Sequence, residues 1–248
     1  MSGHSKWATI KRKKAATDQA RGKLFSKYIK EVTIAARQGA DPNANPRLRA
    51  AISAAKAVNM PAGNIERAIR RGAGLEEGVR YEETQYEGYG PGGVALLVEV
   101  ATDNRNRTTG EIRHIFTKHN AALAEAGSVA YLFKPRGVIL VDKHAVGEDD
   151  LMEIALDAGA DDVGTEGDSY EILTSPAQFE AVKEALAAKG VPVQSVELAK
   201  LASLQVAVTE KDAEPLLRLV DALEDHDDVQ KVHANFSISD ELMAKLSR

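Results

Sequence analysis

The hydrophobic period changes across one short glycine-rich segment, Gly72–Gly78 (GAGLEEG), and this change restricts the chain to two kinds of architecture in series. Upstream, Leu24, Phe25, Tyr28, Ile29, Val32, Ala35 and Ala36 recur at the spacing of an amphipathic helix, which Gly39 and the Asp41-Pro42 turn close. Asn45 followed by Pro46 is a helix start, with a cap residue and then proline at the first helical position; Leu48, Ala51, Ile52 and Ala55 form its stripe. A third helix follows NMPAGN, with Ile65, Ala68 and Ile69 inward and Gly72 as the stop. Residues 20–72 therefore predict a three-helix bundle with a basic arm in front.

Beyond Gly78 the pattern is that of strands. GVALLVEV (93–100) reads as a buried strand, 106–119 as a helix and SVAYLF (128–133) as a strand. SLQVAV (203–208), a helix over 211–224 and VQKVHANFSI (229–238) repeat that plan. Between the two halves lie a strand at 137–141, a helix at 148–158, a pair of strands, a helix at 176–189 and a strand at 191–198. The expected fold class is α+β: a basic arm plus three-helix domain over 1–74, then two ferredoxin-like α/β domains. Of these, domain 2 is discontinuous over 79–134 and 202–240, and domain 3, over 135–201, is inserted within it.

Charge is divided along the same boundary. Residues 1–74 hold sixteen Lys and Arg against four Asp and Glu, leaving sixteen against thirty-three in the remainder. A basic module facing a polyanion and an acidic module with another task account for this segregation. Lys11-Arg12-Lys13-Lys14 has no interleaved acid to pair with, and unpaired like charge repels itself unless phosphates neutralise it. The link between the second and third helices admits a helix-turn-helix, yet no Gln, Asn or Arg cluster opens the third helix to read base edges. The chain has no Cys, which excludes disulfides, thiol nucleophiles and Cys-based zinc sites. Its longest apolar runs, such as Val94–Val98, fall far short of the roughly 20 residues of a membrane helix. The basic start lacks the apolar core of a secretory signal, and we expect a cytoplasmic protein without membrane partners.

Signs of chemistry are sparse. EGYGPGGV (87–94) precedes a strand and lacks the Lys and hydroxyl of a phosphate-cradling loop, so a tight turn between strands is expected. TDNRNRTTGEIRH (102–114) starts a helix just after a strand. Arg105 and Arg107 there could hold a phosphate, while Asp103, Asn104 and Asn106 equally serve as turn and cap. His114 and His119 stand five apart on a helix, too far around it to share an ion, and no metal is expected. The acidic run Glu224–Asp228 (EDHDD) reads as a solvated helix end. No GxSxG or other enzyme signature occurs, and neither a cofactor nor a small-molecule substrate is expected.

Seven motifs, GHSKWATIKRKKA, RGKLFSKYIKE, NPRLRAAI, NMPAGNIERAIRRG, YEGYGPGGVA, TDNRNRT and GSVAYLF, resemble in this order the YebC/PmpR family and its mitochondrial translational-activator relatives. The resemblance is dense over 3–133 and lies mainly in layout over 140–248. It implies three domains, the first helical, and no catalytic residue. Members are usually described as probable transcriptional regulators that bind DNA, and some relatives as translation factors that help ribosomes stalled on proline stretches. The resemblance thus leaves DNA and ribosomal RNA, with the ribosome itself, both open as partners. The matching positions that would contact nucleic acid are Lys6, Trp7, Lys11, Arg12, Lys13, Lys14, Arg21, Lys23, Arg105 and Arg107. Trp7 there could stack on an exposed base or fold back onto the bundle.

Overall fold

Asn45 shows how the helical region is assembled. Its Oδ1 accepts from Leu48 N at 3.0 Å, while its Nδ2 donates to Ala35 O and Gly39 O, each at 2.8 Å. One buried amide thus caps the start of one helix and the end of the preceding one. In this computed structural model the described residues are 18–246, with no side-chain description at 18–21, 166, 240, 243 and 244. The helices are α1 (Asp18–Ala36), α2 (Pro46–Ala57) and α3 (Ala62–Gly72). Val32, Ala35, Leu48, Ala51, Ala55, Met60, Ile65 and Ala68 form their shared core.

The segment after α3 leads into β1 (Glu82–Tyr89), a Pro91–Gly93 turn, β2 (Ala95–Thr102), α4 (Arg105–Lys118) and β3 (Ala122–Ala124). After an intervening unit, β8 (Val206–Ala207), α7 (Glu210–Glu224), β9 (Val229–Ala234), β10 (Phe236–Ser237) and α8 (Asp240–Leu246) follow. The main sheet runs β3-β1-β2-β9. Among the described residues, those from Asp18 to Ala130, with Ala207–Val232 and those from Ile238, belong to one compact unit, so the helical region shares a unit with most of this sheet.

Tyr131–Val206, with His233–Ser237, form the second unit. It contains β4 (Phe133–Asp142), α5 (Glu148–Asp157), β5 (Asp162–Glu166), β6 (Ser169–Thr174), α6 (Phe179–Ala188) and β7 (Val193–Ala202). The strand order β5-β6-β4-β7, with this βαββαβ succession, is that of a ferredoxin-like sheet. Ile139, Val141, Leu151, Ala155, Ile172, Val182 and Leu186 make its core.

The main sheet departs from the expected ferredoxin-like plan. It opens with a β1–β2 hairpin in full antiparallel register from Glu82↔Thr102 to Tyr89↔Ala95, and its first strand, EETQYEGY, is too polar to show an apolar alternation. The strand expected at 128–133 is also absent: a turn and a short 3₁₀ segment at Ala130–Leu132 stand there, and the strand begins at Phe133. The reason lies in Glu87, whose carboxylate takes the N–H groups of Gly127, Val129 and Ala130 at 2.7, 2.6 and 2.8 Å, removing these donors from any ladder. The expected strand at 203–208 is reduced to two residues, and that at 229–238 breaks at Asn235, a buried residue whose Nδ2 donates to Leu204 O.

Gly72 permits a close approach of α3 to α1, since a Cβ there would strike Thr33 O and stand 2.7 Å from Ala36 Cβ, whereas a Cβ on Gly63 would meet nothing within 4 Å. Gly72→Ala is expected to destabilise the fold by about 1–3 kcal/mol through overpacking, and Gly63→Ala to be neutral or slightly stabilising. Urea denaturation of the two variants checks this contrast.

Candidate nucleic-acid interface

The positive charge of α1 has two destinations. Lys23, Lys27 and Lys30 follow one another at i, i+4 and i+7 and so share a helix face. Their ammonium groups meet the end of α7: Lys23 Nζ donates to Asp225 O at 3.2 Å, Lys27 Nζ to Glu224 O at 2.6 Å and Lys30 Nζ to Asp227 O at 2.9 Å. The last turn of α7 carries no basic residue of its own. Lysines from α1 therefore supply the cations that a helix C-terminus favours, each contributing about 0.3–1 kcal/mol.

Lys30 goes deepest. It is 8% exposed, and its ammonium also donates to Asp228 Oδ1 at 2.7 Å and Ala101 O at 3.4 Å and lies 5.4 Å from the centre of the Tyr81 ring. Asp228, 5% exposed, receives Thr108 Oγ1 and Arg107 Nη2 at 2.7 Å and Thr102 Oγ1 at 3.2 Å on its other oxygen. Burial pushes the Asp228 carboxyl up, and the bonds from Lys30, Thr108 and Arg107 outweigh this and hold it well below the usual carboxylate range.

This geometry accounts for TDNRNRT. Asn104 caps α4 by accepting from Arg107 N at 3.1 Å, and Thr102 Oγ1 accepts from Asn104 N at 2.9 Å. Arg107 pairs with Asp103 at 2.8 Å and Asp228 at 2.7 Å, so a carboxylate of the chain itself stands where a phosphate was one expectation. Arg105 is exposed on the first turn of the same helix, with no ion pair among the described residues. The acidic run expected to be a solvated helix end is therefore corrected at Asp228, which is a buried acceptor. Glu111, His226 and Asp228 bring ligand-type atoms within 4.8 Å of one another, but Lys30 and Arg107 already occupy the Asp228 oxygens. His226 Nδ1 accepts from Asp228 N at 3.1 Å, which leaves its proton on Nε2, facing Glu111 Oε2 at 2.9 Å.

Of the other expected contact residues, Lys6, Trp7, Lys11, Arg12, Lys13 and Lys14 lie outside the described residues, and Arg21 is on α1 without a described side chain. Sequence reasoning did not single out Lys27, Lys30, Asp228 or Glu87. The first two look like any basic helix face, although their i, i+3 spacing, continued back to Lys23, was a usable signal. A second tie, also unforeseen, runs from Arg47 on α2 to Glu31 on α1 (3.1 Å) and to Glu83 on β1 (2.5 Å).

Asp228 gives a pH-dependent term of known sign. Its folded-state carboxyl titrates lower than the unfolded one, so its stabilisation is complete above about pH 4 and is lost as the pH falls below that value. Asp228→Asn is expected to lower stability at neutral pH by about 3 kcal/mol by leaving Lys30 buried without its counter-charge, and to flatten the acid limb of a stability–pH curve measured by urea unfolding.

Two family models match the chain. One, described as the TACO1/YebC protein N-terminal domain, covers residues 5–75, and the other, described as the TACO1/YebC second and third domain, covers 81–236. A protein of Geobacter sulfurreducens named as a probable transcriptional regulatory protein is 57% identical over 99% of this chain and 100% of its own length. One of Dictyoglomus thermophilum with the same name is 56% identical over the full length of both. The crystal structure of a conserved hypothetical protein from Aquifex aeolicus matches with a TM-score of 0.80 at 48% identity, covering 90% of this chain and 93% of that one.

Proposed function

The chain belongs to the TACO1/YebC family, and from that premise we propose that it is a non-enzymatic regulator of gene expression, a transcriptional regulatory protein that binds DNA through its basic arm and helical domain. The carrying observation is the charge division: sixteen Lys and Arg against four Asp and Glu in residues 1–74 of a chain that is acidic as a whole. Lys6, Lys11, Arg12, Lys13, Lys14 and Arg21 would neutralise phosphates and release counterions, Trp7 would stack on a base, and Arg105 would add a contact at the start of α4. Lys23 and Arg107, which have partners inside the protein, would serve by placing α1 and α4. The name carried by its relatives supports the transcriptional reading.

One observation favours a second reading, a ribosome-associated translation factor that contacts ribosomal RNA. On α3, which would be the recognition helix, Arg67 in the middle of the helix is turned back onto its first turn, bonding Asn64 Oδ1 at 3.1 Å and Gly63 O at 3.3 Å. A surface without base readout suits contact by phosphate and shape, as structured RNA demands.

Crosslinking in growing cells, followed by sequencing of recovered DNA and RNA, separates these readings: promoter DNA supports the first and ribosomal RNA the second. In vitro, changing Lys11, Arg12, Lys13 and Lys14 together to Ala is expected to reduce the slope of log affinity against log salt by about 3–4 for duplex DNA. Unaltered affinity in that variant would remove the arm from the mechanism.

A further inference from the structure

Three arginines outside the arm converge on one open groove of about 960 Å³ between α1, the end of α3 and the following segment to Tyr81. Arg37 extends from the end of α1 and donates to Tyr81 O at 2.8 Å; Arg71 lies at the end of α3 and Arg80 just before β1. All three are exposed, and among the described residues none makes an ion pair with a carboxylate. The groove also has two acids: Glu76 is engaged by Arg70 at 2.8 Å, and Glu77 is exposed. Three cations against one unengaged acid leave the groove positive.

Ile34, Ala73, Leu75, Val79 and Tyr81 supply apolar and aromatic walls. Leu75 is 68% and Val79 50% exposed, an unusual display on an otherwise polar segment, and the Tyr81 ring is half-buried beside them. Cations beside exposed apolar and aromatic side chains match a strand whose phosphates and unpaired bases are both accessible, whereas a duplex offers only its phosphates to such a surface. Gly78 contributes by having no side chain. A Cβ there would lie 3.2 Å from Cγ and Cδ of Arg71, so the Arg71 stem runs along the glycine and its guanidinium is carried toward the groove.

We propose that this groove is a binding track for a single nucleic-acid strand, with Arg37, Arg71 and Arg80 on successive phosphates and Leu75, Val79 and Tyr81 against its bases. The assignment rests on the nucleic-acid reading above and extends it to a site separate from the arm.

Fluorescence anisotropy with labelled oligouridylate, across a salt series and with full-length protein, tests the track. The variant with Arg37, Arg71 and Arg80 changed to Ala is expected to lose at least about ten-fold in affinity and to flatten the log–log salt slope by about 2, the value for three single-strand phosphate contacts. The Arg71→Ala, Arg80→Ala double variant leaves the Arg37–Tyr81 bond in place and is expected to show two-thirds of that slope change with an unaltered melting temperature. The corresponding Arg→Lys variants are expected to retain the slope. If the arm variant loses oligouridylate while the groove variants bind it like the parent, the track is overturned and the arm reading stands. Equal losses for a labelled DNA duplex and for the single strand would overturn the single-strand assignment. Failure of the parent protein to bind either probe would overturn both readings together.

Discussion

The buried Lys30–Asp228 pair joins parts of the chain that are nearly 200 residues apart in sequence, and most of what positions the helical region follows from it. Three donors satisfy the carboxylate besides the ammonium, while the ammonium finds two carbonyls and an aromatic face. An ion pair removed from water is tolerable when its remaining hydrogen-bonding capacity is filled in this way, and costly to break from one side. Because Asp228 immediately precedes β9 and Thr102 ends β2, the pair sets α1 against the strand ends of the main sheet. Lys23 and Lys27 then align α1 along the terminus of α7, and Arg47 holds α2 to the first strand.

Glu87 and Asp228 solve one problem in two places. Each is a buried carboxylate surrounded by donors that would otherwise suit an anionic ligand, backbone N–H groups in one case and Arg, Lys and Thr side chains in the other. The arginine-containing helix start, one expected phosphate site, is thereby filled from within by Asp228, while Glu87, the first residue of the glycine-loop motif, spends its carboxylate on the turn at 127–130. Arg37, Arg71 and Arg80, on the helical region and the segment that follows it, are exposed without an ion pair among the described residues, as is Arg105 on α4.

Local patterns made much of this legible. The stripes of α1 to α3, the Asn45-Pro46 start and the alternation of helices and strands across 137–198 emerge from periodicity and caps alone, because each depends on neighbours within a few turns. β1 was not legible: it is held by its hairpin partner and by Glu87, and its outer residues are charged. The break at 128–132 depended on a carboxylate some 40 residues away. Lys30 and Asp228 each looked like one member of a charged run, and only tertiary structure separates the buried charge from its solvated neighbours. The arm residues proposed as contacts were reachable through charge and resemblance, whereas the groove arginines are scattered at 37, 71 and 80 and form no motif.

The second unit enters and leaves the chain through paired strands. Phe133 stands opposite Ala202, and Ser203 N donates to Leu132 O at 2.8 Å, so the first and last strands of the βαββαβ sheet begin and end side by side. The two ends are therefore about one inter-strand spacing apart, roughly 5 Å. The loop closed between Leu132 and Ser203 therefore has its ends already together, whatever its length. The βαββαβ sheet thus returns the chain to where it entered, and its helices and loops lie between two strand ends held together by hydrogen bonds.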